Sequence, residues 1–149
     1  MTVVLLDAGP LGLVSNPAGN AESHACSEWL ETILDAGHEV VIPEIADYEV
    51  RRELVRARKA LGLARLDGLV ANLGYSPITT AIMRRAAELW ADARNAGLPT
   101  AHDAALDGDV ILAAQARARG DAGDVVIVAT TNVAHLNRFV DARLWRSIP

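Results

Sequence analysis

Short runs of branched apolar residues alternate with longer helical stretches along this chain, and few folds accommodate that alternation. "VVLL" at 3–6 and "VVIVA" at 125–129 are continuous apolar runs of strand length, and "HEVVIP" supplies another strand at 39–42. "YSPI" at 75–78 reads as one more short strand. Between them, residues 20–36 put Ala25, Trp29, Ile33 and Leu34 on one helical stripe, which Gly37 ends. Pro43 opens a helix running to about Ala60, and a further helix covers 62–73 up to Gly74. Residues 79–96 carry Ile82, Met83, Ala86, Leu89, Trp90 and Ala93 at helical spacing. A loop is expected at 98–107, then a nearly all-apolar helix at 108–119 and a short helix after the last strand. Strands alternating with helices predict a single α/β domain over 1–149, its parallel sheet covered on both faces. In such sheets ligands bind beyond the carboxyl ends of the strands.

The bulk composition narrows the function classes. At 149 residues with 51% hydrophobic and 22% charged residues, the chain suits one globular domain. No apolar run approaches the roughly 20 residues of a membrane span. No basic segment precedes the first apolar run, so a cytoplasmic protein is expected. The single cysteine, Cys26, excludes an internal disulfide framework and a cysteine zinc cluster. A formal charge of −5 argues against a broad nucleic-acid-binding surface. Residues 51–65 depart from that balance, with Arg51, Arg52, Arg56, Arg58, Lys59 and Arg65 against Glu53 alone. Such a run is either a solvated helix face or a contact for phosphate or an acidic partner.

Several acids fall where burial makes them costly. Asp7 stands where the first apolar strand leaves the core, followed by "AGPLGL", with no basic residue near it in sequence. It reads either as a turn or cap residue, or as a site at the sheet edge. At about 100° per residue, Ile45, Ala46, Val50, Leu54 and Ala57 form the inner arc of the second-strand helix. Glu49 and Glu53 lie in or beside that arc, while Glu44 and Asp47 are expected to point the other way. A carboxylate turned inward must be paired, bound to metal or neutralised. Glu49, nearer the strand end, is the better candidate, and Glu53 equally suits an ion pair with Arg56 or Arg52. Asp103, Asp107 and Asp109 cluster in "HDAALDGDVILAAQA". Asp107 fits an N-cap and Asp109 the first helical turn, yet capping needs only one of them. Finally, "VIVATTN" empties a buried strand into Thr130, Thr131 and Asn132. Uncompensated carboxylates with oxygen-rich neighbours suit a hard divalent cation such as Mg²⁺ or Mn²⁺.

Taken in order, "LLDAGPL", "VIPEIADYEVRREL", "LDGDVILAAQA" and "IVATTNVAHLNRF" resemble the PIN-domain family of metal-dependent nucleases, in particular the VapC-like toxins of toxin–antitoxin pairs. The resemblance spans almost the whole chain. It implies a three-layer α/β/α fold with a mostly parallel sheet of four to five strands. It also implies Asp7, Glu49 and Asp109 as catalytic metal ligands, with Asp107 as a companion. Where many relatives carry an Asp after the last strand, this chain offers Asn132, a neutral ligand or a group that orients water or phosphate. Thr130 and Thr131 then support the site by hydrogen bonds. The implied reaction is RNA hydrolysis by metal-activated water. Arg51, Arg52, Arg56, Arg58 and Lys59, with Arg84 and Arg85, are the candidates to hold RNA outside the acidic mouth. Relatives form homodimers and are held inactive by a small antitoxin protein.

Other readings fit less well. A receiver-type domain groups acids around Mg²⁺ but calls for paired acids after the first strand and a lysine after the last. Here Asp7 stands alone and the only lysine is Lys59. His102-Asp103 resembles HD-type phosphohydrolases, yet His24, His38 and His135 do not supply the further spacing. No Gly-rich phosphate loop or G-x-S-x-G is present. A PIN fold without catalysis, serving as an RNA- or protein-binding module, remains an alternative, as does a PIN nuclease of RNA processing without an antitoxin.

Overall fold

The computed structural model describes residues 2–97 and 103–149, with backbone alone for 103–105. His102 and the start of the expected 98–107 loop lie outside the described residues, as does the Asp103 side chain. The strands are β1 (Thr2–Leu6), β2 (Glu39–Pro43), β3 (Gly74–Ser76), β4 (Val125–Thr130) and β5 (Ala142–Leu144). They form one parallel sheet in the order β3-β2-β1-β4-β5. Val4 at the centre pairs with Val40 on one side and Ile127 on the other. After β1 the chain winds outward to β3, then returns to lay β4 on the other flank of β1. That reversal leaves a crevice at the carboxyl ends of β1 and β4.

The helices are α1 (Ala8–Ser15), α2 (Ala21–Asp35), α3 (Glu44–Arg56), α4 (Ala60–Asn72), α5 (Thr80–Asn95), α6 (Asp103–Asp121) and α7 (Val133–Leu136). Side chains alternate across the sheet, as strand geometry dictates. Val4, Leu6, Val40 and Ile42 pack with Leu11, Val14, Cys26, Ile33 and Leu66 from α1, α2 and α4. Val3, Leu5, Val41 and Val128 pack with Leu112 and Ala116 of α6 and Leu136 of α7. All four residues of the first apolar run are 0% exposed, and each contributes about 1.5–3 kcal/mol by burial. Outside this layer, α5 packs on α6 through Ile82, Ala86 and Leu89 against Leu106, Val110 and Ala113. The expected three layers and parallel sheet are therefore present. Among the described residues no helix is long and apolar enough to cross a membrane.

Several boundaries differ from the sequence expectation, each for a physical reason. "AGPLGL", for which the sequence predicts no element, forms the body of α1, a helix that its two glycines and proline conceal. Pro10 falls in the first turn, where no intrahelical N–H bond is needed, and Leu11 and Val14 bury the helix against the sheet. Helix α3 ends at Arg56 rather than Ala60, because Arg58 takes a left-handed φ of 56° and reverses the chain. Helix α6 already begins at Asp103, so Asp107 lies inside it and is not a cap. The edge strand β5 and the 3-10 turn at Trp145–Ser147 carry no periodic signal. Trp29 fixes that segment instead, donating from Nε1 to the Ile148 carbonyl at 2.9 Å and packing 5.7 Å from the Trp145 ring.

A buried amide ties the layers together. Gln115 of α6, fully buried, donates from Nε2 to the Ser76 carbonyl at 2.6 Å and accepts from the Ile45 N–H at 3.4 Å. It thereby anchors β3 and the first turn of α3, one turn before Glu49. Gln115→Leu is expected to lower stability by about 2 kcal/mol in chemical denaturation, because both backbone groups lose their partner inside the core.

Candidate active site at the carboxyl edge of the sheet

Strand β1 delivers Asp7 rigidly to the crevice. The Asp7 N–H still donates to the Ala129 carbonyl of β4 at 2.9 Å, so the residue is held in the sheet. Its carboxylate then does two things at once. Oδ1 accepts from the Ala8 N–H at 2.7 Å and caps α1, while Oδ2 accepts from the Thr130 hydroxyl at 2.7 Å. The Thr130 oxygen in turn accepts from the Asn132 N–H at 3.0 Å, which fixes the chain as it leaves β4. The cap and the site are thus the same residue. Burial pushes the Asp7 carboxyl up, and the hydrogen bonds from Thr130 and Ala8 oppose the rise.

Two further acids share its field. Glu49, half-buried on α3, is raised by burial, then by Asp7, against the opposing charge of Arg52, with Asp109 adding to the rise. Asp109 of α6 is pushed up to about 6 by burial and then Asp7, against His135 and Arg138. Where α3 meets α6, a glycine stands beside Asp109. A Cβ on Gly108 would stand 3.3 Å from Glu49 Oε1, tighter than ordinary packing. Gly costs about 1 kcal/mol in a helix interior, and here it leaves room for the Glu49 carboxylate. Asp7 is held by hydrogen bonds, whereas the Glu49 and Asp109 carboxylates accept none from the described residues. The nearest basic group to Asp109 is His135 Nδ1, 3.9 Å from Oδ2 and beyond hydrogen-bond reach.

Gly9 controls the other wall. A Cβ there would come within 2.5 Å of Thr131 Oγ1 and 2.7 Å of its Cγ2. Because both branches of the threonine crowd that position, rotation about χ1 exchanges one clash for the other. The α1 N-terminus and the β4–α7 junction can therefore approach closely only with glycine at this position.

The remaining candidates are not gathered in. Asp107 is exposed and lines a groove of about 430 Å³ between α5 and α6 with Met83, Trp90 and Ile111. Asn132 is exposed at the crevice, and its side chain makes no capping bond to α7. Glu53 is exposed and pairs with Arg56 at 2.9 Å. Asp47 and Glu44, expected to point away from the inner arc, are not left in solvent, because α4 and β3 cover that side of α3. Asp47 is buried, accepting from Arg51 Nε at 3.0 Å and from the Tyr75 hydroxyl at 2.8 Å. Glu44 accepts from the Ile78 N–H at 2.6 Å. Arg51 also bonds Asp67 at 2.7 Å, so Arg51 and Arg56 are both engaged in ion pairs within the chain. Arg52 lies over the Tyr48 ring at 5.1 Å, and Arg85 approaches Asp121 at 3.5 Å. Arg58 and Lys59 are exposed on a separate groove of about 810 Å³ with Asn16 and Leu61. Sequence reasoning missed His135 as a neighbour of the acids; its place three residues past Asn132, in the one-turn α7, was the available signal.

Among the described residues, no three His, Cys, Asp or Glu side chains converge closely enough to hold a metal ion as they stand. The donor chemistry nonetheless fits a hard cation: three buried or half-buried carboxylates with a shared field and no bonded counter-charge.

The architecture is shared with solved structures. VapBC2 from Rickettsia felis bound to a promoter DNA fragment matches with a TM-score of 0.71 at 16% identity, over 96% of this chain and 98% of that one. FitAcB from Neisseria gonorrhoeae matches with a TM-score of 0.69 at 20% identity, over 97% and 99%. DNA-bound VapBC from Salmonella typhimurium matches with a TM-score of 0.66 at 18% identity, over 97% and 99%. No curated protein sequence matches the chain. The PIN domain model covers residues 5–137, from Leu5 near the end of β1 to just past α7, and the chain belongs to the PIN domain family.

Proposed function

We propose that this chain is an endoribonuclease dependent on Mg²⁺ or Mn²⁺, and the toxin of a toxin–antitoxin pair. The observation that carries the reading is the shared field of Asp7, Glu49 and Asp109, brought from three elements to one crevice. Family membership supports nuclease chemistry. Asp7, Glu49 and Asp109 would hold the cation. When bound, such an ion lowers the pKa of water and stabilises charge developing on a phosphate under attack.

The chain's own groups complete the arrangement. Thr130 keeps the Asp7 carboxylate oriented towards the crevice. Asn132 presents an uncharged amide at the mouth, suited to orienting water or a phosphate oxygen without adding to the negative field. Arg52, exposed and close enough to lower the Glu49 pKa, suits an approaching phosphate better than Arg51 or Arg56, which are ion-paired. Hydrolysis leaves 5′-phosphate and 3′-hydroxyl ends. The fold likeness to VapBC and FitAcB complexes supports a small protein antitoxin as partner. We place the protein in the cytoplasm as a homodimer.

Incubation with a mixed RNA pool tests the chemistry. Cleavage is expected with Mg²⁺ or Mn²⁺, none with EDTA, and none for Glu49→Gln. Failure to cut RNA with either metal overturns the enzymatic reading and leaves a binding module. For the toxin role, expression alone is expected to arrest growth, and co-expression of a neighbouring small gene product to relieve it. Gly108→Ala offers a finer check. The substitution favours the helix by about 1 kcal/mol but crowds the Glu49 carboxylate, so cleavage should fall about tenfold, the worth of some 1.4 kcal/mol, with no loss of Tm.

A further inference from the structure

We propose that His135 is a substrate-contact residue, its ring donating a hydrogen bond to a phosphate oxygen of the RNA strand lying against Asp109. This rests on the ribonuclease reading and adds to it the identity of one wall of the substrate path.

The geometry points there for three reasons. First, α7 begins directly after Asn132, so it rises from the same strand end that carries Thr130. It places the His135 ring beside Asp109, with Nδ1 3.9 Å from Oδ2. Second, that separation is too long for a hydrogen bond, so Asp109 does not consume the ring's donor. The His135 side chain is 43% exposed, and its ring has no hydrogen-bond partner among the described residues. Third, an acidic crevice repels a polyanion unless donors line its approach. The α3 side, expected to supply them, has Arg51 bound to Asp47 and Asp67 and Arg56 bound to Glu53. Among the described residues of that side, Arg52 is the cation whose charge acts on Glu49. Helix α3 follows β2 and α7 follows β4, with β1 between them. A strand crossing Asp7 would therefore meet Arg52 on one flank and His135 on the other, where the charge of Arg138 also acts on Asp109.

Two other roles for the ring predict different behaviour. A residue that merely steadies Asp109, or one that ligates the metal, would change metal affinity and kcat. A phosphate contact changes RNA affinity and KM.

The test uses a fluorescent mixed-sequence oligoribonucleotide and the full chain. In an Asp7→Asn background, which binds without cutting, His135→Ala is expected to weaken RNA binding about tenfold, the worth of one hydrogen bond to a charged acceptor. His135→Gln, whose amide N–H reaches near the Nε2 position, should recover most of it. With Asp7 intact, His135→Ala should raise KM several-fold and leave kcat and Mn²⁺ affinity, measured by calorimetry, unchanged. Unaltered RNA affinity and KM in His135→Ala would overturn the proposal, as would a loss matched by weaker Mn²⁺ binding. If the unmodified chain cuts RNA while His135→Ala behaves identically, this inference fails alone. If the unmodified chain neither binds nor cuts RNA, the ribonuclease reading fails and takes this one with it.

Discussion

Asp7→Asn should lower RNA cleavage by roughly 10³-fold, about 4 kcal/mol of transition-state stabilisation, while leaving the fold intact. Asn keeps one oxygen and replaces the other with an amide donor. The oxygen can still cap Ala8, and the Thr130 hydroxyl can turn to accept from the amide, with the Asn132 carbonyl 3.4 Å away for its proton. Far-ultraviolet circular dichroism should therefore be unchanged and metal-free Tm not reduced, since a buried charge has been removed. Cleavage that persists within tenfold of the unmodified protein would remove Asp7 from the chemistry.

The second large effect concerns stability in the absence of metal. The Asp109 carboxyl, held at about 6 in the fold, titrates near 3.8 when the chain is unfolded. Between those values the native state keeps a proton that the unfolded state has lost, so raising the pH favours unfolding. Stability contributed by this group is present below pH 4, falls as pH rises towards 6, and is level above it. Solvent screening of this partly exposed group holds the loss to about 1–2 kcal/mol, and Glu49, raised for related reasons, adds in the same direction. Denaturant titrations in EDTA at a series of pH values should show this slope, and Asp109→Asn should flatten it and raise Tm at pH 7. A variant less stable than the unmodified protein at neutral pH in EDTA would contradict the assignment. The same substitution is expected to abolish cleavage, so stability and activity should move in opposite directions.

Much of the fold was readable because continuous apolar runs and helical stripes are set by burial, which leaves a direct mark on sequence. β1, β2, β4, α2 and α5 fall close to their expected positions. What escaped was fixed by tertiary contact instead. Helix α1 carries the wrong propensities and is held by Leu11 and Val14 in the core. Strand β5 is three residues long and owes its place to pairing with β4. The acids divide in the same way. Asp7 and Glu49 could be located from the ends of strong strands and the arc of one helix. Asp47 could not, since nothing in α3 alone reveals that α4 and β3 lie over its outer side. Asp107 is expected from the sequence as a companion of Asp109 in the same loop, but two residues along a helix turn a side chain to a different face, and of the two Asp109 shares the field of Asp7. Its position inside α6 became visible only when the helix proved to start at Asp103.

The bond between Thr130 and Asp7 joins residues 123 apart in the chain. During synthesis, Asp7, Glu49 and Asp109 all leave the ribosome before β4, so an unfinished chain holds three acids without the strand that aligns the first of them. Pairing of β4 with β1 is thus a late checkpoint written into the topology. On the proposed reading, a growing polypeptide stays harmless to the RNA it is made from until β4 has emerged and paired with β1. A hydrolase built the other way round, with its site complete in the first half of the chain, would lack that protection.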